Sequence, residues 1–133
     1  MAEFMMKDLL RKKGLENEFR IESAAVSAEE TGNDMYPDAK AILKEHDIPF
    51  EKRRARKVRS EDGEIYDCIF VMDESNLRNI HRILFRPKAK VQKLLRNRNV
   101  ADPWYTGDFE KAYSDIDEGI RSRLDEILAE DEH

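Results

Sequence analysis

The run Tyr66-Asp67-Cys68-Ile69-Phe70-Val71-Met72 constrains the fold more than any other feature of the chain. It is nearly continuous apolar, the pattern of a strand covered on both faces, and such strands belong to parallel sheets flanked by helices. The run ends at Asp73, and Ser75 is available to cap a helix reaching about Leu84. Around it, helical and strand patterns alternate. Residues 1–13 carry apolar side chains at Met1, Phe4, Met5, Met6, Leu9 and Leu10, a wide helical face that stops at Gly14. Residues 19–26 read as a strand, residues 37–46 as a helix and residues 89–95 as a weaker strand after Pro87. The last helix is the clearest: Phe109, Ala112, Tyr113, Ile116, Ile120, Leu124, Ile127 and Leu128 follow the 3.6-residue period, and Asp108 is placed to cap it.

This order predicts an α/β fold, a small parallel sheet with helices on both faces, in one domain over residues 1–133. Such folds normally begin with a strand, whereas this chain begins with a helix. In open α/β sheets the ligand site lies at the carboxyl ends of the strands. The segments to search are therefore 27–34, 73–76 and 101–105.

Composition narrows the classes. A chain of 133 residues with 40% hydrophobic content builds a single core. The only cysteine, Cys68, excludes an internal disulfide and fits a reducing compartment. No apolar run approaches the ~20 residues of a membrane span, and no signal-peptide pattern opens the chain. A cytoplasmic protein that contacts neither membrane nor nucleic acid is expected. The net charge of -5 agrees. The basic run Lys52-Arg53-Arg54-Ala55-Arg56-Lys57 reads as a solvated loop, since acidic residues flank it and no aromatics interleave it. His46, His81 and His133 lack metal-ligand spacing, and the glycines form neither a dinucleotide fingerprint nor a Walker loop. No metal or cofactor is expected.

At the searched positions the sequence resembles the low-molecular-weight protein tyrosine phosphatases. The matching residues, in order, are Met1-Ala2-Glu3, Ser23-Ala24-Ala25-Val26-Ser27, Ala55-Arg56, Tyr66-Asp67, Met72-Asp73-Glu74-Ser75-Asn76-Leu77-Arg78, and Asp102-Pro103-Trp104-Tyr105 followed by Gly107-Asp108-Phe109. The resemblance implies a three-layer sandwich around a four-stranded parallel sheet of order 2-1-3-4. It also implies hydrolysis of phosphotyrosine-type monoesters through a cysteinyl-phosphate. A thiolate in a Cys-x5-Arg loop attacks phosphorus, and an aspartic acid protonates the departing phenolate. By the same resemblance Asp102 is the general acid, Trp104 and Tyr105 wall the substrate pocket, and Asp73 and Asn76 support the phosphate loop. Glu29 and Glu30 stand where many relatives carry an aromatic specificity residue, which shifts the expected substrate towards a peptide with basic flanks. Thiol-relay arsenate reductases share this loop but need further cysteines.

The family's first strand and phosphate loop would precede Met1, a stretch of about fifteen residues on ordinary element lengths. That strand lies inside the family sheet, between the strands matching 19–26 and 66–72. Cys68 is no substitute, because Glu74 rather than Arg stands six residues later and the surroundings are those of an inert buried thiol. The 133 residues alone are therefore expected to be inactive and open to self-association through exposed sheet edges. Two accounts fit: a chain shortened at its front, which the intact Asp-Pro-Trp-Tyr loop favours, or a natural non-catalytic binding module on the phosphatase scaffold.

Overall fold

The computed structural model describes residues 1–26, 37–52 and 56–131, with the backbone alone at Trp104, Tyr105 and Asp131. The helices are α1 (Ala2–Lys12), α2 (Pro37–Glu45), α3 (Asp62–Ile65), α4 (Glu74–Ile83), α5 (Pro103–Thr106) and α6 (Phe109–Asp131); the strands are β1 (Cys68–Val71) and β2 (Lys90–Lys93). β1 and β2 pair in parallel, with Cys68 opposite Lys90 and Val71 opposite Lys93. The connection between them is α4, the helical crossover that a parallel pair requires.

Alternation along β1 divides the core into two layers. Phe70 packs against the larger cluster, built from Phe4, Met5, Leu9 and Leu10 of α1, Leu43 of α2, and Ile116, Ile120 and Leu124 of α6. Val71, with Ile69, faces the smaller cluster formed with Ile80 and Leu84 at α4 and Val58. Both faces of the strand are thus covered, as its apolar run predicts. α6 passes so close to the chain after β2 that a Cβ on Gly119 would stand 2.5 Å from Leu94 Cγ. Arg123, also on this face, is buried. It donates to the carbonyls of Lys93 and Leu94, to Gln92 Oε1 and to Glu126 Oε2, and its guanidinium lies over the Phe70 ring. A guanidinium with this many partners is tolerated inside a core.

Three expectations need correction. Residues 19–26 do not form a strand: their ladder is reduced to a single parallel bridge, Ala25 to Lys57. Among the described residues no strand lies between them and β1, so an extended segment there has too few partners for a ladder. The cap of α4 is Asp73, whose side chain accepts the Asn76 N–H at 2.7 Å, rather than Ser75. The Asp-Pro-Trp-Tyr loop contains a turn of helix beyond Asp102. Pro103 opens the short helix α5, because its fixed φ and missing N–H suit a first helical position.

Gly14, at φ 71°, closes α1 as expected, and Asp108 Oδ1 accepts the Lys111 N–H at 2.9 Å at the start of α6. The basic run is not simply a solvated loop. Arg56 is held by Asp62 through two hydrogen bonds of 2.9 and 3.2 Å and also reaches Glu22; residues 53–55 lie outside the described ones.

Candidate active site

The carboxyl ends of β1 and β2 meet the chain that leads to Asp102. Asp73 and Asn76 make two linked bonds there: Asp73 caps α4 by accepting the Asn76 N–H, and Asn76 Oδ1 accepts the Met72 N–H at 3.3 Å. The 96–101 segment is fastened to the same edge. The Val100 N–H donates to the Met72 carbonyl at 2.9 Å. Asn99 Oδ1 accepts from the Glu74 N–H and from Lys93 Nζ, each at 3.2 Å, while Lys93 also pairs with Glu74 at 2.9 Å. Asp73, Asn76 and the approach to Asp102 therefore share one edge of the sheet, where an open parallel sheet places its ligand.

Asp102 itself is exposed. Its carbonyl accepts both the Thr106 N–H at 3.2 Å and Thr106 Oγ1 at 3.3 Å, which starts α5. Behind it lies Asp115 of α6, only 2% exposed. This carboxylate accepts the Ala101 N–H at 2.9 Å, Arg98 at 2.7 Å and Lys111 at 3.1 Å. Burial opposes its charge, but the Ala101 N–H, Arg98 and Lys111 together outweigh burial and hold its pKa below the ordinary aspartate value. An open hollow of about 540 Å³ lies beside α5, between the start of α2 and the α5–α6 corner, lined by Asp38, Ile42, Thr106 and Phe109.

The structure brings Asp73, Asn76 and the Asp102 loop together. Glu29 and Glu30 lie outside the described residues, as do the side chains of Trp104 and Tyr105, whose backbone sits in α5. Cys68 is half-buried in the strand, and burial raises its thiol pKa, the reverse of what a nucleophile needs. His46 is stacked on Tyr113, with ring centroids 3.8 Å apart. Asp115 and Arg123 escaped the sequence reading, although both interrupt the apolar stripe of α6. A charge placed between Ala112 and Ile116, or between Ile120 and Leu124, is a signal of a buried, partnered ion.

The same carboxylates set an acid limit. Glu22 is held low by the phenol of Tyr66, with Arg20 and Arg56 adding to it against burial. Asp62 is lowered despite burial by Arg56 and the Arg59 N–H. Asp115 behaves alike. Each of these groups has a folded pKa below its unfolded one. Its stabilisation is therefore complete above the unfolded value and disappears as pH falls through the folded value. Thermal melts should lose stability mainly below about pH 4, and Asp115→Asn should flatten that limb. A melting temperature insensitive to acid down to about pH 2 would contradict the assignment.

These features agree with the comparisons. The family model described as low molecular weight phosphotyrosine protein phosphatase matches residues 1–133, and the chain belongs to that family. It is 31% identical to the low molecular weight protein-tyrosine-phosphatase YfkJ of Bacillus subtilis, over 98% of this chain and 88% of that one. It is 32% identical to the human low molecular weight phosphotyrosine protein phosphatase, over 85% of this chain and 77% of the relative. The crystal structure of YfkJ superposes with a TM-score of 0.90 at 30% identity, covering 97% of this chain and 86% of that one. The α/β architecture with its small parallel sheet is the family's. Among the described residues no helix is long and apolar enough to cross a membrane.

Proposed function

We propose that these residues supply the general acid and the pocket walls of a protein tyrosine phosphatase, acting on phosphotyrosine-type monoesters in the cytoplasm. The observation that carries this reading is the placement of Asp102 at the carboxyl edge of the sheet, at the mouth of α5 and on a loop fastened to β1 and α6. Asp102 protonates the leaving phenolate, Trp104 and Tyr105 flank the phenyl ring, and Asp73 and Asn76 brace the phosphate loop. The acidic pair Glu29-Glu30 in the sequence and the carboxylates of Asp38 and Glu110, which line the hollow, favour a peptide with basic flanks.

The nucleophile is not among the 133 residues, which contain no Cys-x5-Arg. Hydrolysis through a cysteinyl-phosphate needs such a loop joined ahead of Met1, where its N–H groups and arginine would hold the phosphoryl oxygens. For the 133 residues by themselves, the burial-raised thiol of Cys68 favours a second reading, a non-catalytic binding module.

The test is turnover of phosphotyrosine by two proteins, the 133-residue chain and the same chain joined to a strand and a Cys-x5-Arg loop. The joined chain should turn over and yield an acid-stable phosphocysteine on rapid quenching. The 133-residue chain should do neither. Turnover by the short chain that disappears on Cys68→Ser would reverse the reading of that cysteine, and a joined chain that forms no phosphoenzyme would leave the binding module.

A further inference from the structure

Asp102 is flanked by two fixed peptide groups. Its own carbonyl is held by Thr106, one turn ahead. The peptide before it, at the Ala101 N–H, is held by Asp115, fourteen positions later in sequence. The two bonds differ in kind. The Thr106 contacts are local and form with α5 itself. The Asp115 contact is long-range, charge-assisted and buried, and it fastens the loop to the longest helix of the fold.

Arg98 and Lys111 supply the positive charge that keeps this carboxylate ionised out of water, and Arg98 is in turn held by Glu118 at 2.6 Å. Core packing alone does not call for such an arrangement, since an apolar side chain would fill the position next to Ile116 without needing two cations. What a carboxylate adds is a strong, directional acceptor aimed at one backbone N–H. With Val100 bonded to Met72 as well, the loop is pinned to the sheet at one residue and to α6 at the next, immediately ahead of Asp102.

We propose that Asp115 is the positioning residue of the acid step, a buried carboxylate that fixes the Ala101–Asp102 peptide so that the Asp102 side chain stands at the distance proton transfer requires. This rests on the reading of Asp102 as the general acid. Asp115 touches no substrate and moves no proton. Its effect is geometric, and displacement of a catalytic group by about 1 Å is enough to lower a rate by about a hundredfold.

Two readouts test it. In the 133-residue chain, Asp115→Ala should speed hydrogen exchange at the Ala101 amide by about tenfold or more relative to α6 amides. Asp115→Asn, which matches the shape and keeps an acceptor oxygen, should give a smaller increase, and it decides the matter if the alanine variant does not fold. In the chain joined to a Cys-x5-Arg loop, both variants should lower kcat for phenyl phosphate, by about tenfold to a hundredfold for alanine. KM should hold, and the burst rate of phenolate release from a dinitrophenyl phosphate should stay within about threefold, because departure of a good leaving group needs little proton transfer. An equal loss on both substrates, or a freed Ala101 amide with an unchanged kcat, would overturn the proposal. If Asp102→Asn itself shows no leaving-group dependence, the acid is elsewhere and the catalytic role falls with it. The exchange measurement then shows whether the Asp115 anchor exists independently of that failure.

Discussion

In the chain joined to a Cys-x5-Arg loop, Asp102→Asn should lower the rate of phosphoenzyme formation from phenyl phosphate by about 10²–10⁴-fold, the usual contribution of a positioned general acid. The loss shrinks steadily as the phenol becomes a better leaving group. A phenolate of high pKa leaves slowly without a proton, whereas a nitrophenolate carries its own charge. Formation of the phosphoenzyme should slow with rising leaving-group pKa, whereas its hydrolysis, in which the same carboxylate would take the proton of the attacking water, is one rate common to every substrate; burst kinetics separate the two steps. Asp102 is exposed and stands at the N-terminal mouth of α5; the amide variant keeps shape and hydrogen bonding, so a folding defect is not expected to mimic the result. A uniform loss across the leaving-group series would assign Asp102 a binding role and return the acid to an unidentified residue.

The parts of this molecule legible in the sequence are those set by local pattern. α6 announces itself by its apolar stripe, β1 by an unbroken apolar run, and the end of α1 by Gly14. The parts that were not legible depend on partners distant in sequence. Residues 19–26 have strand composition, yet composition makes no ladder without a neighbour, and the described structure gives them one bridge. α5 was missed because an Asp-Pro pair suits both an extended turn and a helix start. The choice falls to Thr106, which bonds back to the Asp102 carbonyl. At the candidate site, Asp102, Asp73 and Asn76 are expectations of the resemblance, and the structure adds a physical link between them, the 96–101 loop. Asp115 is marked in the sequence only as a charge interrupting the α6 stripe, a signal that does not name its partners. Only its contacts with Ala101, Arg98 and Lys111 disclose its place.

The outer edge of β1 carries the other large expected effect. Among the described residues the sheet has two strands, so the side of Cys68–Val71 away from β2 has no ladder, and residues 19–26 lack one as well. Phe19 and Ile21 nevertheless pack against the main core, as Phe70 and Met72 do. An apolar strand with an unpaired edge is a template for another chain, and buried N–H and C=O groups without partners are costly. A strand seated there would complete the open edge of β1 and, in the order 2-1-3-4 that the resemblance implies, pair with residues 19–26 as well. Its contribution should exceed the ~2–5 kcal/mol of one large-to-small core change, a large share of a typical total of ~5–15 kcal/mol. The 133-residue chain should accordingly associate with concentration in sedimentation and show weak amide protection across 19–26 and on the open side of β1. The joined chain should sediment as a monomer, melt at a higher temperature and protect both segments. A compact 133-residue monomer with cooperative melting and strong protection in both segments would refute this, and would strengthen the reading of these residues as a binding module in their own right.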